Sequence, residues 1–194
     1  HQDTEFIGGY NLSHTDNQDQ LRKITHYHPF RDLPLRNRWL KNKLVVASRT
    51  LLSICGLRRR PQVLINGVRR DIYFGSDYWA ITLDCARYVK KVLDTNPALV
   101  RYFRTTFVPS EMCIQTIVYN SSFGTRAQLY KGSFPGLVRL TPLHYLYYKG
   151  SVKALTMDDW KVIQESGKMF CRKVVSNVSD SLMNTIDAER SITK

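Results

Sequence analysis

Acidic residues are scarce in this sequence of 194 residues, which has 16 aspartates and glutamates against 29 lysines and arginines. The resulting formal net charge of +13 indicates an anionic partner, such as a nucleic acid, a membrane surface or a phosphorylated substrate. Charge alone does not choose among these three classes. The 43% hydrophobic and 11% aromatic content excludes a disordered polyelectrolyte.

Cysteines are few, and none forms a Cys-x-x-Cys motif. Each lies in apolar or helix-like surroundings, which predicts reduced, buried thiols and therefore a reducing compartment. We accordingly expect a cytoplasmic protein, including one bound peripherally to the inner face of a membrane. The four residues are Cys55, Cys85, Cys113 and Cys171.

Long apolar runs and internal repeats are also missing. No run of about 18 apolar residues could span a bilayer, and no secretory signal opens the chain. The length suits one hydrophobic core, so we predict a single domain over residues 1–194. Because strand and helix patterns alternate without strict order, the predicted fold class is α/β with a mixed sheet flanked by helices.

The first third of the chain gives three local predictions. Residues 5–7 are expected to form a short strand closed by two glycines, with a loop over 11–20. Residues 22–28 alternate and predict a strand with His26 and His28 on one face. These histidines could be metal ligands, but no third ligand follows at convincing spacing, and polar strand residues are the favoured interpretation.

A basic helix is predicted over residues 35–57. Apolar residues recur there at positions i, i+4, i+7, i+11 and i+14, and basic residues decorate the other positions. Packing of the apolar stripe on the core is favoured over contact of residues 35–60 with an anionic membrane. The stripe consists of Leu40, Leu44, Ala47, Leu51 and Ile54.

Turn and cap signals predict most of the remaining elements. Asn66-Gly67 is typical of a hairpin turn within residues 62–70, and Thr82 is a credible N-cap for a helix that stops near residue 96. Thr156 and Asp159 form a capping-box pattern before a long helix that would reach residue 174. We also expect strands over 71–74, 127–130, 137–141 and 144–148. A linking helix and loop are predicted over 98–106, and the last helix over 179–188.

The segment from residue 107 to 120 combines a carboxylate with an apolar helical stripe. Pro109 suits the first turn of a helix, which would place Glu111 in that turn. The positive helix end stabilises an anion there, so we expect Glu111 to be ionised at neutral pH. Such a carboxylate could act as a general base, although acidic residues also favour first helical turns for electrostatics alone.

Three segments occur in an order that resembles a known enzyme family. They are GSDYWAITLDCARYV (75–89), VPSEMCIQTIVYNS (108–121) and LTMDDWKVIQESGKMFCRKV (155–174). Together they resemble the core-2/I-branching β-1,6-N-acetylglucosaminyltransferase and peptide O-xylosyltransferase family. This resemblance implies a GT-A-like fold and an inverting, metal-independent transfer of an N-acetylglucosamine- or xylose-like sugar from a UDP-sugar to a glycan or hydroxyl acceptor.

The resemblance also implies roles for individual residues. Glu111 matches the catalytic base of the family's Pro-x-Glu motif, and Lys173, with Arg172 beside it, matches the cations that bind the diphosphate. No metal or other cofactor is expected, and the chain has no Asp-x-Asp pair with which to hold one. The implied acceptor-binding residues are Gly75, Ser76, Tyr78 and Trp79.

The similar region runs from about residue 5 to the end and corresponds to the later part of the family's domain. The first β-α units, which bind the nucleotide base and ribose, would then lie before His1. We therefore expect either a piece of a longer transferase or a half-domain without activity.

The alternative function is a basic protein that binds nucleic acid or a membrane surface without catalysis. The +13 charge and the clustering of Arg58, Arg59 and Arg60 near Arg69-Arg70 favour it. Because no nucleic-acid-binding motif accompanies the charge, nucleic acid is the less favoured partner, behind a nucleotide sugar with its glycan acceptor.

Overall fold

A computed structural model describes residues 3–30 and 34–192 of the chain. Helices and strands alternate through this part of the chain, so the predicted mixed α/β class is confirmed. The helices are α1 (Gln18–Thr25), α2 (Arg38–Ile54), α3 (Leu83–Thr95), α4 (Pro97–Arg104), α5 (Cys113–Tyr119), α6 (Trp160–Glu165) and α7 (Asp180–Ile192). The strands are β1 (Gly8–Asn11), β2 (Gln62–Ile65), β3 (Val68–Asp71), β4 (Tyr73–Phe74), β5 (Gln128–Tyr130), β6 (His144–Leu146), β7 (Tyr148–Lys149), β8 (Ser151–Val152) and β9 (Phe170–Arg172).

The strands form one three-stranded mixed sheet and three two-stranded pairs. The larger sheet has the order β4-β1-β5, in which β1 runs antiparallel to β4 and parallel to β5. The pairs β2–β3 and β7–β8 are antiparallel hairpins, whereas β6 and β9 pair in parallel. β1 therefore joins segments that lie far apart in the sequence.

One apolar cluster holds the first two thirds of the chain together. In this cluster α5 packs on β1 and β4, α4 packs on β2, and α3 contacts both helices. Its buried residues include Ile7, Ile72, Leu99 and Ile117. Four further buried leucines belong to the C-terminal segment and lie outside this cluster. They are Leu143, Leu146, Leu155 and Leu182.

Two predictions near the start of the chain are wrong. The first strand covers Gly8–Asn11 instead of residues 5–7, where Phe6 makes only an isolated bridge to Ala80. Residues 18–25 form helix α1, so the strand predicted over residues 22–28 does not exist and His26 and His28 do not share a strand face. The helix begins at Asn17, whose side chain accepts hydrogen bonds from the N–H groups of Asp19 and Gln20 at 3.1 and 3.2 Å.

The hairpin prediction is confirmed. Asn66 and Gly67 connect β2 to β3 with φ values of 51° and 76°, the left-handed conformation that a two-residue hairpin loop requires at both positions. Thr82 caps α3 as predicted, because its hydroxyl accepts the Cys85 N–H at 3.3 Å. Helices α4 and α7 and strand β5 also lie close to their predicted positions.

The basic helix is present, but its predicted packing is wrong. α2 begins after Asn37, whose side chain accepts the Leu40 N–H at 3.1 Å, and the helix contains no buried residue. The apolar stripe expected on the core is exposed to solvent. Amphipathic spacing defines which side chains share a face, but it does not determine what that face contacts.

The C-terminal third differs from its prediction in two places. Residues 137–140 form a turn instead of a strand. The capping box of Thr156 and Asp159 is present, but α6 ends at Glu165 and Gly167 adopts a φ of 61°. The chain then enters strand β9, so the helix predicted to reach residue 174 is wrong beyond that turn.

All four cysteines are free thiols. Only Cys85 is buried, where desolvation raises its pKa to about 12. Cys55 is exposed at the end of α2, so the prediction of a buried thiol is wrong at that position.

Candidate active site

Glu111 is positioned by backbone contacts to the end of strand β4. It lies in a single 3-10 turn, Pro109–Glu111, and α5 starts only at Cys113, so the predicted α-helical first turn is a 3-10 turn instead. The Glu111 carbonyl accepts the Gly75 N–H at 2.8 Å. This bond fixes the 3-10 turn beside the Gly75 segment, which the resemblance also assigns to the site.

Gly75 is required at its position by close packing inside the protein. A Cβ atom there would lie 2.2 Å from the Gly8 carbonyl oxygen and 2.9 Å from Cγ of Gln115. The small residue thus lets two backbone segments approach each other. Gly75 is buried and therefore supports the candidate site from within.

Ser76 is buried as well. Its hydroxyl accepts the Tyr78 N–H at 3.1 Å, and its carbonyl accepts a hydrogen bond from Nε2 of Gln115 at 2.9 Å. Both groups of Ser76 therefore shape the loop that carries Tyr78. Oε1 of Gln115 is buried and has no hydrogen-bond partner among the described residues.

The Glu111 carboxyl group has an unusual affinity for protons. Burial, and secondarily the charge of Asp77, raise its pKa from 4.5 to about 7, while Lys23 acts in the opposite direction. The expectation of an ionised Glu111 at neutral pH is therefore met only in part, because desolvation outweighs the stabilisation available at the start of a short turn. A pKa close to neutral suits a proton acceptor that must also release the proton.

Lys23 lies on α1, close enough to Glu111 for their charges to interact. Its ammonium group lies 4.5 Å from the ring centroid of Phe74 and 6.0 Å from that of Phe107. Burial lowers the Lys23 pKa, and the Glu111 charge partly restores it. The Glu111 carboxyl group therefore interacts electrostatically with one cation, Lys23, and one further carboxylate, Asp77.

Val108 precedes the turn in the left-handed conformation, with φ 50° and ψ 63°. A β-branched residue rarely adopts this conformation, and such outliers cost about 1–3 kcal/mol. Backbone strain of this kind clusters at functional sites. It occurs here three residues before the carboxyl group of interest.

Tyr78 and Trp79 point to different surroundings. Trp79 packs against the main apolar cluster beside α3. The Tyr78 ring lies 5.0 Å from the ring of His144, and the Arg172 guanidinium carbon lies 4.9 Å from its centroid. Of the two predicted acceptor-binding aromatics, only Tyr78 therefore adjoins a predicted diphosphate-binding cation.

His144 completes a stack of flat groups between the main body and the C-terminal segment. Its ring is stacked on Phe170 with centroids 5.1 Å apart and an interplanar angle of 26°. Burial, and secondarily Arg172, lower the His144 pKa, which favours the neutral ring. We call Tyr78, His144, Phe170 and Arg172 the aromatic stack.

Arg172 and Lys173 are both exposed at the end of β9. Neither side chain forms an ion pair with a described residue. The Lys173 backbone is anchored, since its carbonyl accepts the Leu155 N–H at 2.8 Å. The neighbouring Lys153, by contrast, donates to both carboxylate oxygens of Asp159 at 2.8 and 2.9 Å.

A second basic region lines a cleft of about 770 Å³ between α1 and the C-terminal half of α2. Arg22, Arg49 and Arg58 are exposed there, and together with burial they lower the pKa of His26. The Arg59 side chain is already committed, because it donates to backbone carbonyls of His26 and Tyr102 at 2.7 Å. The cleft also reaches Lys23, which connects it to the surroundings of Glu111.

Sequence reasoning missed three of the neighbouring residues. Lys23 was missed because its segment was predicted to be a strand, and His144 because stacking across elements leaves no local pattern. Asp77 could have been found, since it lies inside the motif that contains Gly75 and Tyr78. An acidic side chain there has the sign needed to raise the pKa of a nearby carboxyl group.

Across residues 3–30 and 34–192, no group of three or more histidine, cysteine, aspartate or glutamate residues is arranged to hold a metal ion. Comparison of the chain with protein-family models, with curated proteins and with solved structures finds no match in any of the three.

Proposed function

We propose that this chain belongs to an inverting glycosyltransferase with a GT-A-like arrangement, which transfers a sugar from a UDP-sugar to a glycan or hydroxyl acceptor without a metal ion. The observation that carries the proposal is the half-buried Glu111 carboxyl group, whose pKa of about 7 suits a general base. The resemblance of three ordered motifs supplies the reaction class. An N-acetylglucosamine- or xylose-like donor is the expected substrate.

In the proposed reaction Glu111 removes the proton from the acceptor hydroxyl as that oxygen attacks the anomeric carbon. A new bond forms between the acceptor oxygen and the sugar, and the bond between the sugar and the diphosphate breaks. UDP leaves with the electron pair, and attack from the opposite face inverts the anomeric configuration. The proton is then released from Glu111 to solvent, which a pKa near 7 permits.

Arg172 and Lys173 are proposed to stabilise the charge that develops on the leaving diphosphate. Two exposed cations without carboxylate partners can do this without a metal ion. Tyr78, which is partly exposed beside Arg172, would contact the sugar next to the diphosphate.

Calorimetric titration with UDP in the presence of a chelator tests the diphosphate site. We expect binding that weakens about 10-fold or more in Arg172→Ala or Lys173→Ala, because each loses a charge-assisted contact. Arg49→Ala and Arg58→Ala are matched controls, since they remove arginines from the basic cleft instead. Weaker binding only in these cleft variants would contradict the assignment to Arg172 and Lys173.

Glu111→Gln tests the catalytic role separately. The amide keeps the size of the side chain but cannot accept the proton, so turnover should fall about 10²- to 10⁴-fold while UDP affinity stays within about two-fold. Transfer of radiolabelled sugar to simple acceptors, measured beside calorimetry, separates the two effects. Unchanged turnover in this variant would sink the proposed role of Glu111.

A further inference from the structure

Helix α2 exposes the apolar stripe that its sequence places on one face. Leu40 and Leu44 are 43% and 40% exposed, and Leu51 and Ile54 reach 62% and 79%. Ala47, between them on the same face, is exposed as well. A contiguous row of exposed large apolar side chains marks an interaction surface, whereas single ones do not.

Another side of the helix is less exposed than the stripe. Val45, Ser48 and Leu52 are partly buried, and they recur at i, i+3 and i+7 on a face distinct from the stripe. The stripe is therefore the more exposed side of α2, a helix without any buried residue.

The charge around the stripe is of one sign. No aspartate or glutamate occurs between Asp32 and Asp71, a segment that contains the whole helix. Basic residues occur along the helix and in the segments on either side of it. They include Arg36, Arg38, Lys41, Lys43, Arg49 and Arg58.

Trp39 lies at the start of the helix and is 67% exposed. The Lys43 ammonium group lies 5.6 Å from the centroid of the indole ring. An indole beside a cation suits the boundary between water and hydrocarbon, where the ring enters the interface and the ammonium group meets headgroups.

We infer that α2 docks on an anionic lipid membrane, lying in the plane of the interface with the stripe inserted and the basic residues on the headgroups. The helix spans 17 residues, about 25 Å, which suits a surface position. Among the described residues, no helix has the length and apolar character needed to cross a bilayer. The docking is independent of the proposed sugar transfer.

Charge favours a membrane over a second copy of this chain. A dimer formed through the stripe would bring two basic helices together with no acidic residue in either segment to compensate. An anionic lipid surface supplies the missing opposite charge along the whole helix.

Co-sedimentation with vesicles tests this inference. We expect the chain to bind vesicles of about 30% phosphatidylserine in phosphatidylcholine at least about 10-fold more strongly than pure phosphatidylcholine, and to bind less strongly as salt is added. The double variant Leu44→Ser/Leu51→Ser should lower binding about 10-fold or more, since both side chains leave the inserted face. The matched control Leu64→Ser/Leu83→Ser removes leucines that are 47% and 64% exposed on other elements, and it should change binding less than about two-fold.

Tryptophan emission provides a second readout on the same samples. Anionic vesicles should shift the emission to shorter wavelength, and Trp39→Phe should abolish this shift while Trp79 and Trp160 still emit. Equal binding to both kinds of vesicle, or equal loss in the stripe and control variants, would overturn the inference. A concentration-dependent dimer in gel filtration that only the stripe variant abolishes would also overturn it, by identifying a second copy as the occupant.

Discussion

Besides burial, which raises the pKa of Glu111 most, two opposing charges act on its carboxyl group. They are the like charge of Asp77 and the opposite charge of Lys23. Each can be removed without touching Glu111 itself. Variants of Asp77 and Lys23 should therefore shift the pKa of Glu111 in opposite directions, which tests the electrostatic environment of this group.

Asp77→Asn should lower the pKa of Glu111, and Lys23→Gln should raise it, because the first variant removes a repulsion and the second an attraction. The acid limb of the kcat/KM profile, expected near pH 7, should move in the same directions. At pH 6 the ratio should rise about two- to five-fold in Asp77→Asn and fall in Lys23→Gln. Titration of ¹³C-labelled glutamate by NMR measures the pKa directly, and movement of both variants in one direction would contradict this electrostatic account.

The raised pKa of Glu111 also predicts how the stability of the folded chain depends on pH. The folded pKa of Glu111 is raised above its unfolded value of about 4.5, so its stabilising contribution is fully present below pH 4.5 and is lost as pH rises through about 7. Relative to Glu111→Gln, the wild-type chain should lose about 1–2 kcal/mol between pH 4.5 and 7.5, a range that allows for solvent screening at this half-buried site. Urea unfolding of both proteins across this range measures the difference, and parallel curves would argue against a raised pKa.

At the scale of elements, local signals in the sequence predicted well what local contacts determine. The Asn66-Gly67 turn, the Thr82 cap and the capping box of Thr156 with Asp159 all occur as expected. Each depends on residues within a few positions of one another. No long-range contact had to be known to find them.

The failures concern elements whose state depends on distant partners. The sequence of β9 fits an apolar helical pattern, but the segment forms a strand that pairs in parallel with β6. Phe170 of this strand stacks on His144. Helical spacing found the stripe of α2 and could not show that nothing in the described chain covers it. The candidate site has the same mixture: motifs identified Glu111, Tyr78 and Arg172, while the influence of Lys23 on Glu111 depends on the tertiary structure.

Because α2 is exposed, a substitution in its apolar stripe should change the free energy of unfolding less than one in a core helix. Leu51→Ala should change the free energy of unfolding by less than about 0.5 kcal/mol, because the side chain already contacts water. Ile117→Ala, at a position 1% exposed on α5, should cost about 2–5 kcal/mol. Guanidinium unfolding of the two variants decides the point, and a cost above about 2 kcal/mol for Leu51→Ala would mean that the stripe packs on the protein.

At the scale of the whole molecule, the aromatic stack joins two regions that have separate apolar groups. Tyr78 belongs to the region of the main cluster, whereas His144, Phe170 and Arg172 belong to the C-terminal segment with its own buried leucines. The proposed substrate-binding groups therefore lie where these regions meet. Sugar and diphosphate would bind at the joint.

Tyr78→Ala should loosen this joint selectively. Loss of one aromatic and one cation contact is worth about 0.5–1.5 kcal/mol, so amide hydrogen exchange in β6 and β9 should accelerate about two- to ten-fold. Exchange in the β2–β3 hairpin serves as the internal control and should not change. Tyr78→Phe keeps the ring and should resemble the wild type, and uniform acceleration across the chain would instead indicate global destabilisation.

The left-handed conformation of Val108 predicts the outcome of a laboratory evolution experiment. A library selected only for heat resistance should enrich glycine at position 108, because glycine adopts a φ of 50° without penalty. Val108→Gly would also loosen the turn that carries Glu111, so selected clones would survive heating and lose turnover. Selecting for survival and sugar transfer together should retain valine. This result would indicate that the backbone strain at Val108 is retained because it serves the proposed sugar transfer.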